Sequence, residues 1–397
     1  MKSKRRKLLL INTLPCEQSA GGPVQLFRHF IENDDFDFDI FIADQGESSE
    51  YLKTGLNILD RLLKRLSQTR LFPEFVAFNL LIAEHRQNLL ISEKLLTFKP
   101  DAIVTVAFGS YCFLASKIAQ KFNLPLITFF HDWYSDLTYC RGVGKKLVDK
   151  RFKRLYQQSD LALCVSESMQ SELGKHRNSV VLYPIPNLNP INNSSLKLQD
   201  SYNNLFKVVY LGLLGGDHGE VLQLLVDKIR LKNTDWLDLR LYGFLEGWTE
   251  SNSRFVISKN IYKGRPSHGL EANNALSEAD VFLVVQSFSQ SMERRVRTSF
   301  PSKILEYVAY GKPIVVWGPS NSSSVKFIEE HHTGVVVTNP NPEDLLQILL
   351  ELKNDRSKYM KMAIAAKKLS ESIFDPRSIH SQMVSAINST IDTFVKN

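Results

Sequence analysis

Cysteine is scarce: the 397 residues include four, Cys16, Cys112, Cys140 and Cys164, far apart and in no C-x-x-C or Cys/His cluster. A structural zinc site needs closely spaced ligand pairs, so none is expected, and reduced thiols suit a chain this long better than a disulfide framework. No stretch approaches the ~20 consecutive apolar residues that cross a bilayer. Low-complexity tracts and short-period repeats are missing too. No helix-turn-helix, zinc-finger or aromatic RNA-binding signature stands beside the basic residues, so nucleic acid is not an expected partner.

What is present is an ordinary globular composition, 43% hydrophobic and 23% charged, which at this length implies two to three domains. The formal net charge of +7 suits an anionic partner: a phosphate-bearing ligand, nucleic acid or an anionic membrane surface. The opening "MKSKRRKLLLINTLPCEQSAGG" imitates a secretion signal, but its apolar piece is short and no small-residue cleavage site follows. Leu8–Leu14 therefore reads as a first buried strand.

Short apolar runs alternate with amphipathic patterns throughout. The first half offers strands at Lys7–Leu14, Phe38–Ala43, Asp101–Ala107, Leu126–Phe130, Leu161–Val165 and Val180–Tyr183, with helices such as Val24–Ile31 and Tyr111–Phe122 between them. Residues 184–204 are dense in Pro, Asn and Ser and read as a linker. The alternation restarts with Lys207–Leu211, Asp238–Tyr242, Asn260–Lys263, Val281–Val285, Ile314–Trp317 and Gly334–Thr338, and turns helical after Pro342. Buried strands separated by helices predict an α/β fold with parallel sheets covered on both faces. The predicted divisions are 1–186, 187–372 and a last helix, 373–397. Ligands of such sheets bind outside the carboxyl ends of the strands, so a cleft between the halves is the expected site.

Several stretches could carry chemistry, each with a plainer alternative. Gly21-Gly22-Pro23 lies between a strand and a helix; it is either a loop that lets a ligand reach the backbone or a tight turn. His131 and Asp132 follow the strand Leu126–Phe130, and Trp133 and Tyr134 could line a sugar-binding surface; the alternative is a histidine that caps a strand or the next helix. "KVVYLGLLGGDHGEV" ends a strand in glycines that include Gly212 and Gly215, as a phosphate-cradling turn does, without the Walker lysine or the dinucleotide spacing. Arg294, Arg295, Arg297 and Lys303 cluster beside a helix start, where the helix dipole also favours anions. Glu306, about a turn further on, could accept two hydroxyl hydrogen bonds, or could be a surface charge.

The stretch "PSKILEYVAYGKPIVV" from Pro301 carries the most specific signal. Together with Gly21-Gly22, His131, "SDLALCVSESM" and the glycine turn after Tyr210, it resembles the retaining glycosyltransferases of family four, in their "P-S-K-x-x-E-Y" branch common in bacterial surface-polysaccharide assembly. The resemblance implies the GT-B fold: two Rossmann-like doubly wound domains facing across a cleft, with a C-terminal helix crossing back to the first. It implies transfer of a hexose-type sugar from a nucleotide-diphosphate donor to a hydroxyl, with retention. Pro301, Ser302 and Lys303 would frame the diphosphate, Glu306 would bind ribose, His131 the transferred sugar, and Gly21 and Gly22 the phosphates or acceptor, beside Asp132.

Three departures from the family pattern stand out. The first glutamate of the E-x7-E pair falls on Thr298. The Arg and Lys-Gly pair that usually follow the glycine turn are replaced by "GLLGGDHGEV", which leaves Arg265, Arg297 or Lys303 to grip the diphosphate. The usual Asn-Gly after the last strand of the first domain reads Pro186-Asn187. No cofactor or metal is expected, since positive side chains can neutralise the leaving group. The acceptor that the resemblance implies is a sugar or lipid-linked glycan. A cytoplasmic location is expected, with peripheral contact to an anionic membrane through Leu56, Leu59, Leu63, Leu66 and nearby basic residues set against a simple core-packing role. The other functional reading is a non-catalytic nucleotide-sugar-binding homologue or partner subunit.

Overall fold

The computed structural model describes residues 5–12, 30, 35–42, 65, 69–82, 91, 95–136, 140–185, 205–232, 234–243, 261–264 and 270–396. Gly21, Gly22, Arg265, the helix expected at Val24–Ile31 apart from Phe30, most of linker 184–204 and the 56–66 leucine stripe lie outside the described residues. The chain forms two compact units: Met1–Ile185 with Ile379–Asn397, and Pro186–Ser378.

The first unit is built on a six-stranded parallel sheet. Its strands are β1 (Arg6–Asn12), β2 (Phe36–Ile42), β3 (Ala102–Val106), β4 (Leu126–Phe130), β5 (Leu161–Cys164) and β6 (Ser179–Val181), in the order β2-β1-β3-β4-β5-β6. Every residue of β3, β4 and β5 is buried, which is why these strands read as continuous apolar runs. Alternate side chains take opposite faces. Leu8, Leu10, Val104, Ile127, Phe129 and Leu163 pack with Ile379, Met383, Ile387 and Ile391 of the last helix, Pro376–Lys396. On the other face Phe130 meets Phe152 and Tyr156 edge-on, each at 5.3 Å, and so seats the helix Gly142–Gln158.

The last helix is also tied to this unit by polar contacts. Arg6 Nη2 donates to Asp392 Oδ1 at 2.5 Å, and Asn178 Nδ2 donates to Thr390 Oγ1 at 3.0 Å. His380 Nε2 lies 2.7 Å from Asp35 Oδ2.

The second unit repeats the plan with β7 (Phe206–Leu211), β8 (Leu237–Tyr242), β9 (Ile261–Gly264), β10 (Val281–Val285), β11 (Ile314–Trp317) and β12 (Gly334–Val337). Its six-stranded order, β9-β8-β7-β10-β11-β12, reverses direction between β7 and β10. That is the doubly wound arrangement, and its switch point is where such sheets present ligands. Trp317 is fully buried, with Nε1 donating to Asn339 O at 2.7 Å. Asn341 caps the helix Pro342–Asn354, its side chain accepting from Glu343 N. The two parallel α/β sheets are those of the expected class.

Candidate functional site

In the second unit the sheet's switch point is the end of β7. Here the chain turns through Gly212, whose N–H donates to Tyr242 O at 2.9 Å, and enters the helix Gly216–Leu231 with Gly215 at its N-cap. Against this turn lies the short helix Lys303–Val308, preceded by Pro301 and Ser302. Two aromatic residues fix the pairing. Tyr307 stacks on Phe282 of β10, centroids 4.2 Å apart and planes 9° from parallel. Its hydroxyl accepts from Leu211 N at 2.9 Å, so the helix is bolted to the last residue of β7.

One turn earlier on the same helix, Lys303 reaches over the ring of Tyr210, its Nζ 4.3 Å from the centroid. The Tyr210 hydroxyl is engaged elsewhere and donates to Leu213 O at 2.8 Å. A Cβ added at Gly212 would collide with Lys303 Nζ, so the absent side chain is what makes room for the ammonium. Burial pushes Lys303 down to about 8, and the neighbouring Glu306 carboxylate opposes that shift. A lysine held this way keeps its proton at neutral pH but has lost much of its solvation, which primes it for an anion.

A further group belongs to this cluster. His218, in the first turn of Gly216–Leu231, is pushed down to about 4 by burial and then by the positive fields of Lys303 and Arg295. It is therefore neutral at pH 7 and offers a hydrogen bond rather than a charge. Sequence reading missed it, although it sits in the stretch where the family's lysine is missing. Arg295 is the arginine whose field reaches His218 together with Lys303. Thr298 is fully buried and donates its hydroxyl to Arg294 O at 2.9 Å, a bond within its own helix. Because Lys303–Val308 spans only six residues, side chains supply the positive field here more than a helix dipole.

In the first unit His131 directly follows β4, and its Nδ1 is buried without a hydrogen-bond partner among the described residues. Asn12, the last residue of β1, shares that condition: its Oδ1 accepts from Val106 N at 2.9 Å, while its Nδ2 is buried and unpartnered among the described residues. Buried polar atoms are almost always satisfied, so two such nitrogens at one carboxyl edge of a sheet point to a ligand or water. Asn12 was legible only as the polar end of "LLLIN".

The expectation that Trp133 and Tyr134 line a sugar surface is overturned. Both are fully buried. Trp133 Nε1 donates to Asp149 Oδ1 at 2.8 Å, and Tyr134 packs edge-on against Phe108 at 5.2 Å. Their indole and phenol rings anchor the segment that carries His131 and the half-buried Asp132.

Comparison with known proteins agrees with this arrangement. Residues 27–187 match the model "Glycosyltransferase Family 4" and residues 270–369 match "Glycosyl transferases group 1". With one such match on each unit, the chain is a glycosyltransferase, family-4-like and of GT-B fold. No curated protein sequence matches it. Among solved structures, HepE from Anabaena in complex with UDP is similar over 97% of this chain and 100% of its own, at 15% identity and a TM-score of 0.63. Sucrose-phosphate synthase from Thermosynechococcus elongatus aligns over 98% of this chain and 100% of its own, with 15% identity and a TM-score of 0.66. A glycosyltransferase from Rickettsia africae ESF-5 covers 100% of both chains at 16% identity, TM-score 0.65.

Proposed function

We propose that this enzyme transfers a hexose from a nucleotide-diphosphate sugar to a hydroxyl acceptor with retention of configuration, in the assembly of a cell-surface polysaccharide or glycolipid at the cytoplasmic side of a membrane. The observation that carries the donor assignment is the Lys303 ammonium, held over Tyr210 against Gly212 at the switch point of the second sheet. The structures of HepE with UDP and with UDP-glucose support a donor of that class.

In this reading Lys303, with Pro301 and Ser302 ahead of it, takes the diphosphate. Neutral His218 donates a hydrogen bond to it, and Arg295 adds longer-range attraction. Glu306 accepts from the ribose hydroxyls. His131 and Asn12 hydrogen-bond hydroxyls of the transferred sugar or the acceptor. The bond from the anomeric carbon to the diphosphate oxygen breaks, and the electron pair leaves with the diphosphate. The acceptor oxygen bonds to the same carbon from the same face, and its proton passes to the departing diphosphate.

Negative charge on the leaving group is the largest charge that develops, and fixed cations stabilise it without reorganising. Side-chain cations are sufficient for this, and the reading assigns no metal. Among the described residues no helix is long and apolar enough to cross a membrane, so a lipid-borne acceptor would be met at the membrane surface. A calorimetric screen of nucleotide sugars, followed by nucleotide release with and without glycolipid acceptors, tests the proposal. Binding of no nucleotide sugar, or donor binding without acceptor-dependent release, would defeat it.

A further inference from the structure

Three consecutive serines, Ser322, Ser323 and Ser324, stand where the chain leaves β11 and enters the helix Ser323–His331. A helix start needs one capping hydroxyl. Here all three serines are buried, and each has its own partner. Ser322 is the cap, its Oγ accepting from Val325 N at 3.1 Å. Ser323 Oγ donates to Ser299 O, at the head of the loop that leads into Pro301, Ser302 and Lys303. Ser324 Oγ accepts from Gln286 Nε2 at 3.3 Å and lies 3.3 Å from Ser322 Oγ.

Gln286 is the first residue beyond β10, and only 8% of it is exposed. Its Nε2 is taken by Ser324, and among the described residues no donor meets its Oε1. Gly318 holds the matching position after β11, since Val285 pairs with Trp317. A Cβ added there would lie 2.5 Å from Gln286 Cβ, so the glycine leaves the amide its place. Holding a glutamine in one rotamer costs entropy, and a buried carbonyl without a donor costs more. An oxygen fixed in that condition points to a donor brought by a ligand or by water.

The strands show where this oxygen stands. Alternation along β10 sends Phe282, Val284 and Gln286 to one face, the face on which Tyr307 stacks over Phe282. Phe282 pairs with Val209 of β7, so in the same register 286 is level with 213, one place past Gly212. Gln286 is thus at the height of the Gly212–Lys303 contact, on the neighbouring strand. Glu306 lies on the other flank of its helix. There Tyr310, raised to about 12 by burial and then by the Glu306 charge, donates to Asn273 Oδ1 at 3.3 Å in the helix Leu270–Ser277. Gln286 is tied instead to Ser323–His331. A donor with its ribose at Glu306 and its diphosphate at Lys303 therefore carries its sugar toward Gln286.

We propose that Gln286 Oε1 accepts a hydrogen bond from a hydroxyl of the transferred sugar, with Ser324 as the positioning residue that turns the amide. The inference deepens the donor assignment made above and rests on it. A neutral amide suits the place, because it reads a hydroxyl without adding negative charge beside the departing diphosphate.

Calorimetry of the full chain with UDP, GDP and ADP, each alone and as its glucose conjugate, tests the contact. Gln286→Leu is expected to bind the nucleoside diphosphate as the wild type does and the nucleotide sugar ~10-fold more weakly, the loss of one hydrogen bond. Gln286→Glu keeps an acceptor and should preserve the ratio of the two affinities. Ser324→Ala should lower that ratio in the same direction as Gln286→Leu. Circular dichroism melts establish which variants are folded, and Ser324→Ala carries the test should Gln286→Leu not fold. A wild type that binds none of the three nucleoside diphosphates removes the donor site and this inference together. With diphosphate binding intact, an unchanged ratio in the folded variant, or an equal loss of both ligands, overturns the sugar contact alone.

Discussion

Lys303 Nζ lies 4.3 Å from the centre of the Tyr210 ring, at a strand end where Gly212 leaves no side chain in its way. The tyrosine face is a weak partner for a cation. An incoming diphosphate would supply what this lysine lacks. Lys303→Ala is expected to lower transfer by at least ~100-fold, typical of losing one contact to a developing anion.

The proton on Lys303 gives a sharper test. Free, the lysine titrates at about 8 rather than its ordinary 10.5. A bound diphosphate favours the charged form, so above about 8 donor binding must take up a proton, and affinity should fall by ~10-fold per pH unit. Stability moves the other way: between about 8 and 10.5 the unfolded chain still holds the proton that the folded chain has released, so this residue's contribution rises with pH there. Calorimetry at pH above that value, in buffers of different ionisation heat, should show close to one proton taken up by the wild type and none by Lys303→Met. The same count in both would refute the assignment.

Glu306 has two consequences that can be separated. As a ribose ligand its loss in Glu306→Ala should lower transfer by ~100-fold, like the loss of another preorganised contact. It is also the carboxylate that holds Lys303 up against desolvation. Removing the negative charge in Glu306→Gln should therefore shift the alkaline loss of donor affinity to lower pH. An unmoved limb in the glutamine variant would mean that the two side chains do not share a site.

Gly212→Ala tests the close approach directly. The added methyl group would take the space of the Lys303 ammonium, so the variant should lose donor affinity nearly as far as Lys303→Ala does. Residues that share one contact are not additive, and the double variant should be little worse than Lys303→Ala alone. Additive losses would place Gly212 and Lys303 in separate roles.

Fold class was legible because buried parallel strands are continuous apolar runs: "LITFF", "VFLVV" and "IVVW" stand in the structure at the residues predicted for them. Lys303 and Glu306, the candidates for the site, stood out because they follow a helix start directly before such a run. His218 was not, since only the fold brings the first turn after β7 into the field of Lys303 and Arg295. Trp133 misled for a related reason. An aromatic residue next to a candidate ligand looks the same in sequence whether it faces a sugar or, as here, donates to Asp149 inside the core.

The last helix carries a prediction about stability. Met383 and Ile387 are fully buried against alternate residues of β1, β3 and β4, although they lie more than two hundred positions beyond those strands in the chain. Ile387→Ala removes buried volume that the rigid sheet cannot refill, at a cost of about 2–5 kcal/mol. That cost falls on the first unit, because Ile379–Asn397 packs there while Pro186–Ser378 forms the second. Hydrogen exchange followed by mass spectrometry should show peptides from β1 and β3 losing protection in this variant, with peptides from β10 and β11 unchanged. Equal loss in both sheets would show that the two units unfold together.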